Sequence, residues 1–301
     1  MPENLFTTTA QISPRPPFDF DKTLNFVRGF SPAYGDQTAN DGILTKATRL
    51  NGQALVFSAQ SSGAIDAPAL QVTLTSTEPL NEENRQAALE RIRFYLSVDD
   101  DLLPFYALAQ DDPNLAPIVN KLYGYHQLKF LTPFENAVWA ILSSRNRHPN
   151  AVNAKRRIIA AHGGSLVLNG VSYAAFPEPL DLLGASPDEL LGYVRQQYRA
   201  DFLRSVIWAF AHIDDEWLKA APYDEVYTWL RGINGIGAWS AEFIMLRGLG
   251  RMERLTTPDT GMLNVFARCY AEPADAKNVL NVAKRYGDYQ GCWAHYLRAG
   301  G

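Results

Sequence analysis

A chain of 301 residues, 47% hydrophobic and 20% charged, has enough apolar material for two or three packed units and too little polarity to be disordered. Its formal charge of −4 excludes a protein held on nucleic acid by bulk charge and leaves only a local basic face for phosphate contact. Two cysteines, Cys269 and Cys292, imply no disulfide framework and fit a reducing compartment. The start has no charged stretch followed by an apolar core, and no apolar run approaches a membrane span. An intracellular protein is therefore expected, in a prokaryotic cytoplasm or a nucleus.

Residues 1–17 lack apolar periodicity, and Pro14, Pro16 and Pro17 predict an extended entry. Phe18, Phe20, Leu24, Phe26 and Val27 predict a short element entering a domain, followed by a polar, turn-rich stretch over 36–42. Strands are predicted over 43–49, 54–58 and 70–75. The third is clearest, because Leu70, Val72 and Leu74 alternate with Gln71, Thr73 and Thr75. Asn51-Gly52 marks a tight hairpin between the first two. Ala88, Ile92, Tyr95 and Leu96 share one face of a helix over 81–96. Strands followed by a helix make a small α+β layer, and the acidic, proline-containing stretch 99–117 places a boundary there. The expected division is an amino-terminal antiparallel sheet domain, 1–112, and an all-helical domain, 113–301, giving a mainly α, α+β chain.

In the second part, Thr132 and Glu135 predict a capping box opening a helix over 133–144, with Val138, Ile141 and Leu142 on one face. That helix runs into a polar, basic loop, Ser143-Ser144-Arg145-Asn146-Arg147. Lys155, Arg156 and Arg157 form a charge run that reads equally as a solvated helix face or a phosphate contact. Asn169-Gly170 marks a minor hairpin or loop. Ser186-Pro187-Asp188-Glu189 is a helix start with cap, proline and reciprocal glutamate, and Leu190, Leu191, Val194 and Tyr198 continue its face. Phe202, Val206, Ala209 and Phe210 predict another amphipathic helix.

The most informative stretch is 230–260, LRGINGIGAWSAEFIMLRGLGRMERLTTPDT. Gly232, Gly235 and Gly237 punctuate a turn between two helical runs, where a missing Cβ allows positive φ or close backbone approach. The second run, with Ala241, Ile244, Met245 and Leu249 at helical spacing, opens with amide groups that favour an anion such as phosphate. Asp259 follows Pro258 and precedes the apolar run Met262, Leu263, Val265, Phe266. Its ordinary role is a helix N-cap, which is compatible with a carboxylate placed at a cleft.

This combination, a glycine hairpin over 230–243 with an aspartate beyond it, resembles the helix-hairpin-helix DNA glycosylases, and in particular their 3-methyladenine branch. The resemblance implies that Asp259 is the catalytic carboxylate. It implies that Gly232, Gly235 and Gly237 hold the DNA backbone, and that the carbonyls of Arg231, Ile233 and Ile236 could hold a sodium or potassium ion. In the same way Arg145, Asn146 and Arg147 would form the DNA-binding loop, with Arg145 filling the gap left by a flipped nucleotide. Bifunctional relatives carry a nucleophilic lysine where this chain has Trp239, so simple hydrolysis is implied rather than a Schiff-base step. Trp239 is either a core residue or, as in the alkylbase branch, a wall facing the flipped base. Phe243, four residues on, would be a second wall and Leu297 the far one. His295 is expected to pack or hydrogen-bond rather than catalyse. Relatives with an iron–sulfur cluster use four cysteines, so none is expected here. The expected activity is release of an alkylated purine such as 3-methyladenine from double-stranded DNA by a monomer. Alternatives are a glycosylase for oxidised purine or uracil, and a DNA-binding module without activity.

Overall fold

The computed structural model describes residues 5–33 and 36–301. Five antiparallel strands, β1 (Phe6–Ile12), β2 (Gln37–Asn40), β3 (Ile43–Leu50), β4 (Gln53–Ser61) and β5 (Leu70–Ser76), form one sheet in the order β1-β5-β4-β3-β2. Asn51 and Gly52 turn β3 into β4 with φ of 49° and 78°, the left-handed pair that suits a two-residue hairpin. Two strands, β1 and β2, lie where the pattern predicts none. Both are edge strands of mostly polar residues, and their main-chain pairing to β5 and β3 defines them rather than any apolar face.

Both faces of the sheet are covered. Alternation in β4 sends Leu55 and Phe57 to the side where Leu24 and Val27 of α1 (Phe20–Gly29) and Ile92 and Tyr95 of α2 (Glu82–Leu96) complete a core. Val56 turns the other way, against Leu166 and Tyr173 of a second hairpin, β6 (Gly164–Leu168) with β7 (Val171–Ala175). The second half of the chain is therefore not all-helical. Its one described strand pair clasps the amino-terminal sheet.

The remaining helices are α3 (Leu103–Gln110), α4 (Ala116–Lys121), α5 (Pro133–Ser143), α6 (His148–His162), α7 (Pro179–Leu182), α8 (Pro187–Val194), α9 (Gln197–Ala211), α10 (Asp215–Ala220), α11 (Tyr223–Gly232), α12 (Ala238–Gly248), α13 (Thr260–Cys269), α14 (Ala276–Ala283) and α15 (Gln290–Gly300). One core runs from the sheet through Phe134 and Val138 of α5, Leu203 of α9, Leu230 of α11 and Met245 of α12. A second joins Phe105 and Val119 of α3 and α4 to Phe266, Val282 and Trp293 of α13 to α15. By packing, the chain leaves the first core after Val98 and returns to it at Leu128, and residues 255–297 share the second core with residues 102–125.

Local signals explain the helix ends. Ser186 Oγ accepts the Glu189 amide at 3.3 Å and the Glu189 carboxylate accepts the Ser186 amide at 2.7 Å, a complete capping box. At α5 only half of the box forms: Thr132 Oγ1 accepts the Glu135 amide at 3.1 Å, while the Glu135 carboxylate turns inward to Lys155, 2.8 Å away. Lys155 also reaches Asp36 at 2.6 Å and the Pro32 carbonyl at 2.7 Å, all out of water. The charge run on α6 is thus neither a solvated face nor a phosphate contact at Lys155. Arg157 donates to the Tyr193 carbonyl at 2.9 Å, and of the three only Arg156 stands exposed. Arg195 ends α8 in the left-handed region at φ 60°, so Tyr198 belongs to α9 and is half exposed instead of continuing the α8 face.

Candidate active site

α11 and α12 form the hairpin. Gly235 has φ +96°, and a Cβ there would stand 2.4 Å from the Phe202 ring, so the turn requires glycine for both conformation and space. Gly237 caps α12 in an extended conformation, and a Cβ there would meet only Arg231, 3.9 Å away. Nothing inside the protein demands a glycine at 237, and the space it leaves open is outside. A Cβ at Gly232 would meet nothing within 4 Å. Of the three carbonyls named for an ion, that of Ile236 accepts Arg231 Nη1 at 3.4 Å and that of Ile233 accepts the Ile236 amide at 3.0 Å. Among the described residues, no group of three or more His, Cys, Asp or Glu is arranged for a metal.

α12 packs along α5 and turns Trp239, Phe243 and Arg247, each four residues on, toward a cleft of about 240 Å³ that Asp259 also lines. The Trp239 and Phe243 rings stack at 5.2 Å and 12°, and Phe130 meets Phe243 edge-on at 5.8 Å. Trp239 is 39% exposed, which removes the reading of it as a core residue.

Asp259 caps α13. Its Oδ1 accepts the Met262 amide at 2.9 Å and Arg298 Nη2 at 2.9 Å, and its Oδ2 faces Trp239 Nε1 at 3.4 Å. Burial alone would raise the pKa of this carboxyl. The Met262 amide, Arg298 and Trp239 together outweigh that and hold it below the ordinary carboxylate value. The loop before it is clamped by Glu242 of α12. One buried carboxylate oxygen accepts the Thr256 amide at 2.6 Å and the Thr257 amide and hydroxyl, each at 2.8 Å; the Thr256 hydroxyl reaches the same oxygen.

α15 closes the far side with Ala294, His295 and Arg298. Leu297 does not line the cleft. It is fully buried in the core that α15 shares with α3 and α13, because one residue turns the side chain about 100° round a helix, away from Arg298. His295 accepts or donates a hydrogen bond with the Tyr125 hydroxyl at 3.0 Å. Burial and the charges of Arg247 and Arg298 push its pKa well below the ordinary value, so it is neutral and not an acid.

The basic loop after α5 is built separately. Arg145 stands exposed at its tip with φ +47°, an unfavourable conformation for a residue with a Cβ. Asn146 is engaged within the loop, donating to the Leu142 carbonyl at 2.9 Å and accepting from Asn150 at 3.4 Å; Arg147 caps α6 and is exposed. Arg199 holds the loop from α9, donating to the carbonyls of Ile141, Leu142 and Ser144. Sequence reasoning missed Arg199, Arg298, Glu242 and Arg247. For Arg247 a signal existed, the spacing of four from Phe243.

The five-stranded sheet, the helical body, the glycine hairpin and the aspartate at the start of the following helix make a fold that solved DNA glycosylases share. Comparison with solved structures agrees. A 3-methyladenine DNA glycosylase from Archaeoglobus fulgidus superposes with a TM-score of 0.79 at 21% identity, over 96% of this chain and 97% of that one. An 8-oxoguanine glycosylase/lyase from Clostridium acetobutylicum does so with a TM-score of 0.72 at 19% identity, over 99% and 98%. In sequence the chain resembles the DNA-3-methyladenine glycosylase of Bacillus subtilis, 24% identical over 193 residues, which is 64% of each chain. It also resembles a probable bifunctional transcriptional activator/DNA repair enzyme AlkA of Mycobacterium tuberculosis, 26% identical over 182 residues, 58% of this chain and 35% of that protein. No family model matches the chain. No helix among the described residues is long and apolar enough to cross a membrane.

Proposed function

We propose that this chain hydrolyses the N-glycosidic bond of an alkylated purine in double-stranded DNA, without a lyase step. The observation that carries the reading is the meeting of a charged Asp259 and the Trp239–Phe243 stack in one cleft. A base inside the duplex is out of reach, so the nucleotide must turn out of the helix, at a few kcal/mol. The exposed Arg145 is suited to fill the gap, and the open face at Gly237 lets a phosphate approach the α12 amides. The base would stack against Trp239 and Phe243. As it departs with the bond electrons, positive charge builds on the sugar, and the Asp259 carboxylate stabilises that charge and orients the attacking water. Trp239 offers no amine, so no covalent imine forms.

The test is single-turnover release of 3-methyladenine or 7-methylguanine from alkylated duplex at saturating enzyme. Asp259→Asn keeps the shape and the helix cap and loses the charge. Release should fall by ~10²–10³-fold while lesion-duplex affinity stays near wild type. A variant that cleaves at the wild-type rate would return Asp259 to the role of a cap.

A further inference from the structure

Two polar groups in the cleft have no partner. Arg247 points inward, with its guanidinium 5.4 Å from the Phe26 ring of α1 and 5.0 Å from the ring of Phe30, which caps that helix. Its Nε and Nη2 are shut off from water and find no hydrogen-bond acceptor among the described residues. No carboxylate forms an ion pair with it among the described residues: Tyr125, Tyr95, Arg298 and His295 surround it, while Asp259 and Glu242 line the same cleft and are engaged by Arg298 and by the Thr256–Thr257 loop. Burial lowers its pKa to about 10, which leaves it charged at neutral pH. Gln127 is 7% exposed, lines the same cleft and has a buried Oε1 with no donor. The two side chains come from adjoining elements, since the Phe130 amide donates to the Arg247 carbonyl at 2.8 Å.

Buried polar groups are almost always paired, and leaving them unpaired is unfavourable. A base with an acceptor for Arg247 and a donor for Gln127 would satisfy both. On a 6-oxopurine edge the O6 acceptor stands beside the N1–H donor, with N7 on the other flank. On a 6-aminopurine the first two are reversed. Arginine is the side chain that most often recognises the O6 and N7 of guanine.

We infer that Arg247 and Gln127 read the edge of the extruded base and select 6-oxopurines, such as hypoxanthine or methylated guanine, over 6-aminopurines. This rests on the cleft being a base pocket, and it narrows the class of base that the pocket takes.

Duplex treated with dimethyl sulfate supplies 7-methylguanine and 3-methyladenine in one tube, and a matched duplex supplies hypoxanthine. Single-turnover release of each base is measured for wild type, Arg247→Met, Arg247→Lys and Gln127→Leu. Arg247→Met should lower 7-methylguanine and hypoxanthine release relative to 3-methyladenine release by about tenfold or more, the scale of one specific base-edge contact. Gln127→Leu should shift the ratio the same way, and Arg247→Lys, the more conservative change, should shift it less. An unchanged base ratio in folded, active variants overturns the inference alone. Should Arg247→Met not fold, the ratio in Gln127→Leu and Arg247→Lys decides. Release of none of the three bases by wild type overturns the proposed function, and the inference with it.

Discussion

Glu242 sits away from the proposed catalytic carboxylate and holds the loop that leads to it. Its carboxylate holds the amides of Thr256 and Thr257, and Asp259 lies just beyond that clamp. Hydrogen bonds to a charged group contribute about 1.5–3 kcal/mol, so the clamp leaves the loop little freedom. Glu242→Gln preserves size but replaces the charged acceptor with a neutral amide. The expected outcome is base release slowed about tenfold or more at a temperature where the variant is fully folded, with duplex affinity unchanged, because a small misplacement of a catalytic group is costly. An unaltered rate would make Glu242 a contributor to stability alone. At this scale legibility in the sequence was uneven. Asp259, Trp239 and Phe243 could be read because they follow the hairpin at short range. Leu297 and Arg298 could not be told apart, since tertiary packing alone decides which of two neighbours on α15 meets the cleft. Arg247 and Gln127 meet only through the backbone bond between Phe130 and α12.

Among the elements, the hairpin offers a clean contrast between two glycines. Gly235→Val places a side chain in the left-handed region and into the Phe202 ring, so it should lower stability and leave little folded protein. Gly237→Val has room within the protein and should fold, yet its methyl groups would occupy the outer space beside the α12 amides. We expect near-wild-type melting for Gly237→Val, with weaker binding to damaged and undamaged duplex alike. Equal affinity of Gly237→Val and wild type would show that DNA does not approach there. The well-predicted elements, α2, α5, α8 and the β3–β4 turn, carry their own punctuation in Asn81, Thr132, Ser186 and Asn51-Gly52. The edge strands β1 and β2 carry none, and neither does the break at Arg195, where a charged residue adopts a backbone conformation more often seen for glycine.

For the molecule as a whole, the buried triad of Lys155, Asp36 and Glu135 ties the segment between α1 and β2 to α5 and α6. Burial disfavours the charge on Lys155, and the two carboxylates more than offset this, raising its pKa; Lys155 does the corresponding service for Asp36, which is held below the usual range. Lys155→Met would leave Asp36 and Glu135 buried without their hydrogen-bonded cation, with Lys46 the remaining positive charge beside them. Stability to urea should fall by about 3–5 kcal/mol, while base release well below the melting point stays close to wild type. Loss of less than 1 kcal/mol would mean that water reaches the triad. In the sequence this lysine looked like one of three surface charges. Asp36 is remote in the chain and lay in a stretch that read only as a turn.

Phe26 of α1 and Phe30, which caps it, lie against Arg247, whereas Arg247, Asp259 and the aromatic stack come from the last third of the chain. The residues inferred to choose a lesion, Gln127 and Arg247, lie outside the first thirty codons, and Phe26 and Phe30 act on that choice through where the Arg247 guanidinium sits. A mutant library restricted to these two phenylalanines tests whether packing behind the cleft alters the lesion spectrum.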